Sequence, residues 1–172
     1  MKTVKTVKKN LQEYVSFSES SVLEDIERLS EQLRGARILH INATAFGGGV
    51  AELLHTLIPL MNDCGLEVDW KVVEAPPEYF DLTKRMHNAL QGKEDVLSQE
   101  DRSLFESVAK ENARFIEASE YDIVVIHDPQ PVGLPIFADF GNSKLVWRCH
   151  IDTSSPNQTF WKYLNSFLAS YN

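Results

Sequence analysis

Between Ile38 and Glu52 the chain reads ILHINATAFGGGVAE: an apolar strand, a short polar loop, three glycines and the start of a helix. These residue types suit ligand binding, because glycine opens φ values closed to other residues and its missing Cβ lets a ligand approach the main chain. The first turn of the following helix carries N–H groups without acceptors. Together with the helix dipole they favour an anion, most simply a phosphate, docked where Gly47, Gly48 and Gly49 give way to Val50. There is neither G-x-G-x-x-G spacing nor a Gly-Lys-Ser/Thr ending, so the loop is not a dinucleotide fingerprint or a P-loop. A tight strand-to-helix turn without a ligand stays open as the plain alternative.

Further polar residues fall at the carboxyl ends of the candidate strands, where open α/β sheets bind ligands. The first strand delivers Asn42 and Thr44, the second Glu74, the third His127, Asp128 and Gln130, and the fourth Arg148, His150 and Asp152. Each has a plainer role available. His127 can cap its own strand, and Asp128 before Pro129 can serve as a turn residue. His150 and Asp152 stand two apart at a strand exit; a neutral imidazole both donates and accepts, and a carboxylate binds sugar hydroxyls or holds a histidine tautomer, a pairing suited to polyols. Arg148 is either a surface cation or the partner of a carboxylate or phosphate. Trp147 and Trp161 are assigned to the core. No G-x-S-x-G elbow, H-E-x-x-H pair or metal-spaced carboxylate cluster occurs, which leaves cofactor-free group transfer or binding.

The elements that must position these groups follow from periodicity. Ser21 with Glu24 reads as a capping box for a helix bearing Val22, Ile26, Leu29 and Leu33, stopped by Gly35. A strand over Arg37 to Asn42 leads into a helix with Val50, Leu53, Leu54, Leu57 and Met61 on one face. Pro59 removes a donor there, so the helix is expected to be regular only to about His55. Val68, Trp70 and Val72 form a second strand, and Ala75 to Pro77 an extended turn before a polar helix ending at Leu90. Ser98 and Asp101 open the next helix, with Leu104, Phe105, Val108, Phe115 and Ile116 toward the core. Tyr121 to Ile126 is a continuous apolar strand, typical of a parallel sheet covered on both faces. Leu134 to Phe140 allows a short helix, Lys144 to Cys149 a fourth strand, and Ser155, Pro156 and Gln158 start a last helix capped by the serine hydroxyl. Strands alternating with helices predict an α/β fold with a doubly wound parallel sheet.

At 172 residues with 43% hydrophobic content the chain is long enough for one cored domain, divided here into a helical extension over residues 1–35 and a Rossmann-like domain over 36–172. The net charge of −8 argues against nucleic acid. Lys2, Lys5, Lys8 and Lys9 read as a solvated, frayed terminus. Cys64 and Cys149 have neither disulfide-framework nor zinc spacing, and no apolar run reaches a membrane span, so no membrane association and a cytoplasmic location are expected.

Four segments, HINATAFGGGVAELLH, LTKRMHNALQG, IVVIHDPQP and VWRCHIDTSSPN, together resemble the N-terminal portion of trehalose glycosyltransferring synthases, retaining glycosyltransferases of the GT-B fold. The likeness runs from about Arg37 onward. It implies the N-terminal, acceptor-side half of a two-domain enzyme that moves glucose from a nucleoside-diphosphate glucose to glucose, forming trehalose without a metal or cofactor. It further implies that Gly47 to Gly49 and Val50 face the sugar diphosphate and acceptor, that Asp128 binds sugar hydroxyls, that His150 lies by the transferred glucose, and that Asp152 lies beside the acceptor. The donor-binding C-terminal domain is absent from this chain, so little or no transferase activity is expected of it alone. A stand-alone sugar- or phosphate-binding module is the alternative expectation. Oligomeric state and nucleotide preference are not legible.

Overall fold

Arg37–Asn42 forms the central strand of a five-stranded sheet in the computed structural model, which describes residues 1–117 and 120–171. The strands are β1 (Lys2–Thr3), β2 (Arg37–Asn42), β3 (Glu67–Val72), β4 (Ile123–His127) and β5 (Lys144–Arg148), in the order β1-β3-β2-β4-β5. β3, β2, β4 and β5 are parallel. The helices are α1 (Ser20–Gln32), α2 (Gly49–Asp63), α3 (Pro77–Leu90), α4 (Gln99–Ala113) and α5 (Gln158–Leu168). This is the predicted α/β, Rossmann-like architecture.

Both faces of β2 are covered, which explains its nearly unbroken burial. Ile38 packs with Ala51, Leu54 and Ile58 of α2 and with Trp70 and Val72, while Leu39 and Ile41 pack on the opposite face with Val124, Ile126, Leu134 and Leu145. A third apolar cluster, centred on Phe105 and Phe160, joins α3, α4 and α5.

Several local expectations are corrected. The lysine-bearing start is not frayed: Lys2 pairs with Val72 and Thr3 with Lys71 in an antiparallel edge, and the Met1 ammonium lies 3.1 Å from Glu74. Two residues are too few for an alternation signal, so only the edge of β3 reveals this strand. The 21/24 capping box does not form, because α1 begins at Ser20 behind Glu19, whose side chain makes no cap bond. No residue of α1 is buried. The Ser98–Asp101 box does form, with both reciprocal bonds. α2 continues without a break to Asp63; one missing donor is outweighed by burial of Ile58 and Pro59 against the sheet. Phe115 is 57% exposed, because α4 ends at Ala113 and the helical period does not carry past it. The last helix is capped by Asn157, whose side-chain Oδ1 accepts from the N–H groups of Thr159 and Phe160, and not by Ser155.

Candidate functional site

α2 starts directly from the glycine run. Gly47 has φ +79, a left-handed value that favours glycine, whereas Gly48 is extended at φ −165 and offers no side chain to cap the helix. The first backbone bond of the helix runs from Glu52 N–H to the Gly48 carbonyl at 3.1 Å. The N–H groups of Gly49, Val50 and Ala51 precede it and have no intrahelical acceptor. A Cβ placed on Gly48 or Gly49 would meet no atom within 4 Å. Packing therefore does not demand glycine at either position, and the space left by the missing side chains is open to a ligand. Gly48 to Ala51 line a cleft of about 460 Å³ together with His127, Asp128, Gln130 and His150.

The opposite wall rests on three histidines brought together by the sheet. His40 of β2 is in register with Val125, and His127 lies two residues further along β4 on the same face. His127 is in register with Arg148, and His150 lies two residues beyond that. Such diagonal neighbours are within reach of large side chains. The rings follow one another edge to edge, with centroids 5.2 Å apart at each step and planes tilted by only 24° and 22°. His40 Nδ1 is 2.9 Å from His127 Nε2, and His127 Nδ1 is 2.9 Å from His150 Nε2. His40 and His127 are buried, and His150 is exposed at the cleft. Burial above all, with the nearby Arg148 charge, pushes His40 down to about 4. Burial, then the neighbouring histidines and Arg148, pushes His127 down to about 3. Both are neutral imidazoles at pH 7.

Asp128 occupies the left-handed region at φ +62, the one such non-glycine residue among those described. Aspartate tolerates this conformation through local hydrogen bonding. Its Oδ1 accepts from the His150 backbone N–H at 2.7 Å, and its carbonyl accepts from Trp147 Nε1 at 3.0 Å. Asp128 thus fixes where His150 leaves β5. Gln130 lines the cleft, and its buried Oε1 has no hydrogen-bond partner among the described residues. Asn42 also reaches the cleft, yet it is only 3% exposed; its Oδ1 accepts from Trp70 Nε1 at 2.7 Å and its amide donates to the Thr44 carbonyl at 2.8 Å. It braces the glycine loop from below.

Other sequence candidates lie elsewhere. Arg148 is exposed and is not part of the cleft lining, acting on the histidines only through its charge. Asp152 is exposed too, its Oδ1 accepting from Ser154 N–H at 2.9 Å within its own turn. Glu74 pairs with the Met1 ammonium and borders a different depression, of about 720 Å³, beside β1 and Phe46. Sequence reasoning missed His40, His55 and His87. His55 secures the glycine loop through a 2.9 Å contact from Nε2 to the Ala45 carbonyl, and His87 joins the cleft from the last turn of α3. A polar His40 inside an otherwise apolar buried strand was the one available signal.

The family whose description is "Trehalose synthase, N-terminal domain" matches residues 40–172. The chain belongs to this family. Among relatives of this trehalose synthase N-terminal domain, the chain is 46% identical to a trehalose synthase of Rubrobacter xylanophilus and 45% identical to one of Pyrococcus horikoshii, in each case over 95% of this chain and 40% of the relative. It is 30% identical over 90% of its length to a trehalose phosphorylase of Pleurotus pulmonarius, covering 24% of that protein. The chain therefore spans about two fifths of the trehalose synthases it resembles. No helix among the described residues is long and apolar enough to cross a membrane.

Proposed function

We propose that this chain is the acceptor-side half of a retaining GT-B glycosyltransferase that moves glucose from a nucleoside-diphosphate glucose to free glucose, giving trehalose. One observation carries the reading: the uncapped N-terminus of α2 and the exposed imidazole of His150, from different elements, open onto a single cleft. In such a transfer the bond from the anomeric carbon to the diphosphate oxygen breaks, a new one forms to the acceptor oxygen, and the acceptor hydroxyl's proton passes to the departing diphosphate. Negative charge grows on the leaving diphosphate. The free N–H groups of Gly49, Val50 and Ala51, with the positive end of the helix dipole, stabilise that charge. His150 and Asp128 hold sugar hydroxyls on the facing wall, with Gln130 Oε1 a ready acceptor for another. No metal or cofactor enters this scheme, and the remaining cationic groups come from the donor-binding half of the two-domain enzyme, outside these residues.

Calorimetric titration with glucose, trehalose and a nucleotide glucose, combined with a transferase assay, tests the proposal. The expected result is that the chain alone binds sugar and forms no trehalose, and that His150→Ala abolishes the binding. Robust trehalose formation by the isolated chain, or binding unchanged in His150→Ala, refutes it. A second reading is favoured by the likeness to trehalose phosphorylase: phosphate occupies the α2 terminus in place of the diphosphate. Calorimetric binding of inorganic phosphate that Gly48→Ala weakens, with no binding of nucleotide glucose, would select that reading. Sugar binding with no gain of transferase activity when the remainder of a full-length relative is supplied would mark a stand-alone binding module.

A further inference from the structure

The three hydrogen-bonded imidazoles cannot set their protonation independently. Each neutral ring carries one N–H and one lone pair. His127 spends both nitrogens on its neighbours, Nε2 toward His40 and Nδ1 toward His150. If it accepts from one it must donate to the other, so all three rings share one polarity. In one arrangement the protons lie on Nδ1 throughout: His40 donates to His127, His127 donates to His150, and His150 keeps an Nδ1–H for the cleft. In the other they lie on Nε2 throughout, and His150 offers a bare Nδ1 lone pair.

The two arrangements differ at the buried end. His40 Nε2 is buried without a partner among the described residues, so it carries an unmatched lone pair in the first arrangement and a stranded N–H in the second. Orphaned buried N–H groups are the rarer feature of folded proteins. Charging any buried ring is opposed by desolvation and by Arg148, and among the described residues no carboxylate is hydrogen-bonded to a ring of the ladder. We propose that His40 is a positioning residue: through His127 it fixes the tautomer of His150, so that His150 meets a ligand with an Nδ1–H donor. Only the ligand, a sugar hydroxyl oxygen, rests on the transferase reading; the relay itself does not.

Ring nitrogen correlation spectra of the ¹⁵N-labelled chain without ligand test this. The expected result is a single Nδ1–H tautomer at both His127 and His150 at neutral pH, with nitrogen–nitrogen coupling across the His40–His127 bond. His40→Leu keeps an apolar side chain of similar size but leaves His127 Nε2 without a partner; His150 then becomes a mixture of tautomers. His40→Asn places an amide near the Nδ1 position, donates to His127, and restores the single tautomer. An unchanged His150 spectrum in folded His40→Leu overturns the proposal, as does a mixed or Nε2–H His150 in the unsubstituted chain. Should His40→Leu fail to fold, the unsubstituted spectrum and the His40→Asn variant decide. Glucose added to the same sample separates the two ideas: a fixed tautomer with no glucose-induced shift at His150 defeats the sugar reading and leaves the relay standing.

Discussion

Replacing Asn42 with leucine isolates the brace beneath the glycine loop. The side chains are similar in size, so the change chiefly removes two hydrogen bonds: Trp70 Nε1–H to Oδ1 at 2.7 Å and the amide to the Thr44 carbonyl at 2.8 Å. Trp70 is 1% exposed, so its N–H is left without water or acceptor, at a cost of about 1–3 kcal/mol. Thr44 is exposed and its carbonyl can be rehydrated, so that loss is about 1 kcal/mol. Asn42→Leu should therefore destabilise by about 2–4 kcal/mol, a large part of a typical folding free energy. Trp70→Phe removes the donor by another route. The double variant no longer strands a polar group, so a urea-unfolding cycle followed by far-ultraviolet circular dichroism should show coupling of about 1–3 kcal/mol. Additivity within about 0.5 kcal/mol would refute the reasoning and make Asn42 a residue free to serve a ligand.

Acidification tests the histidine ladder. His40 and His127 titrate near 6.5 when unfolded but at about 4 and about 3 when folded, so the unfolded chain takes up protons first. The stability that these rings contribute is complete above 6.5 and is lost as pH falls toward the folded values. By pH 5 each should have cost about 2 kcal/mol, and His40→Asn should halve the combined loss in urea titrations; a flat profile from pH 7 to 5 would contradict this. Gly92→Ala places a Cβ 2.9 Å from the Ser155 carbonyl at φ +94 and should destabilise by about 2 kcal/mol or more by thermal unfolding. Gly48→Ala, in open space at an extended φ, should change stability by less than about 1 kcal/mol yet weaken binding of a nucleotide glucose in calorimetry. Ser98→Ala should cost about 1 kcal/mol through its lost cap, while Ser21→Ala should be within about 0.5 kcal/mol.

Elements with a local cause were read correctly from the chain. Ser98 and Asp101 cap because both bonds close within one turn, and β2 and β4 show apolar runs because helices cover both sheet faces. Where a neighbour distant in sequence decided the outcome, local reading failed. β1 exists only because β3 has a free edge, and α2 survives Pro59 because Ile58 and Pro59 are buried against the sheet. Asn157 outcompetes Ser155 as a cap, and its own N–H and amide are drawn toward the Ala89 and Asp95 carbonyls.

The site divides in the same way. Sequence alone determined that glycines 47–49 precede a helix with unpaired N–H groups, and that polar residues cluster at the strand ends, because both follow from residue type and period. Tertiary structure decided which of them meet. Parallel pairing of β2, β4 and β5, with a two-residue diagonal step at each pair, links His40, His127 and His150 edge to edge although 87 and 23 residues separate them along the chain. The same register leaves Arg148 and Asp152 outside the cleft and turns Asn42 into a support. Side-chain period in a strand says which face a residue takes; only the register between strands says what it will touch.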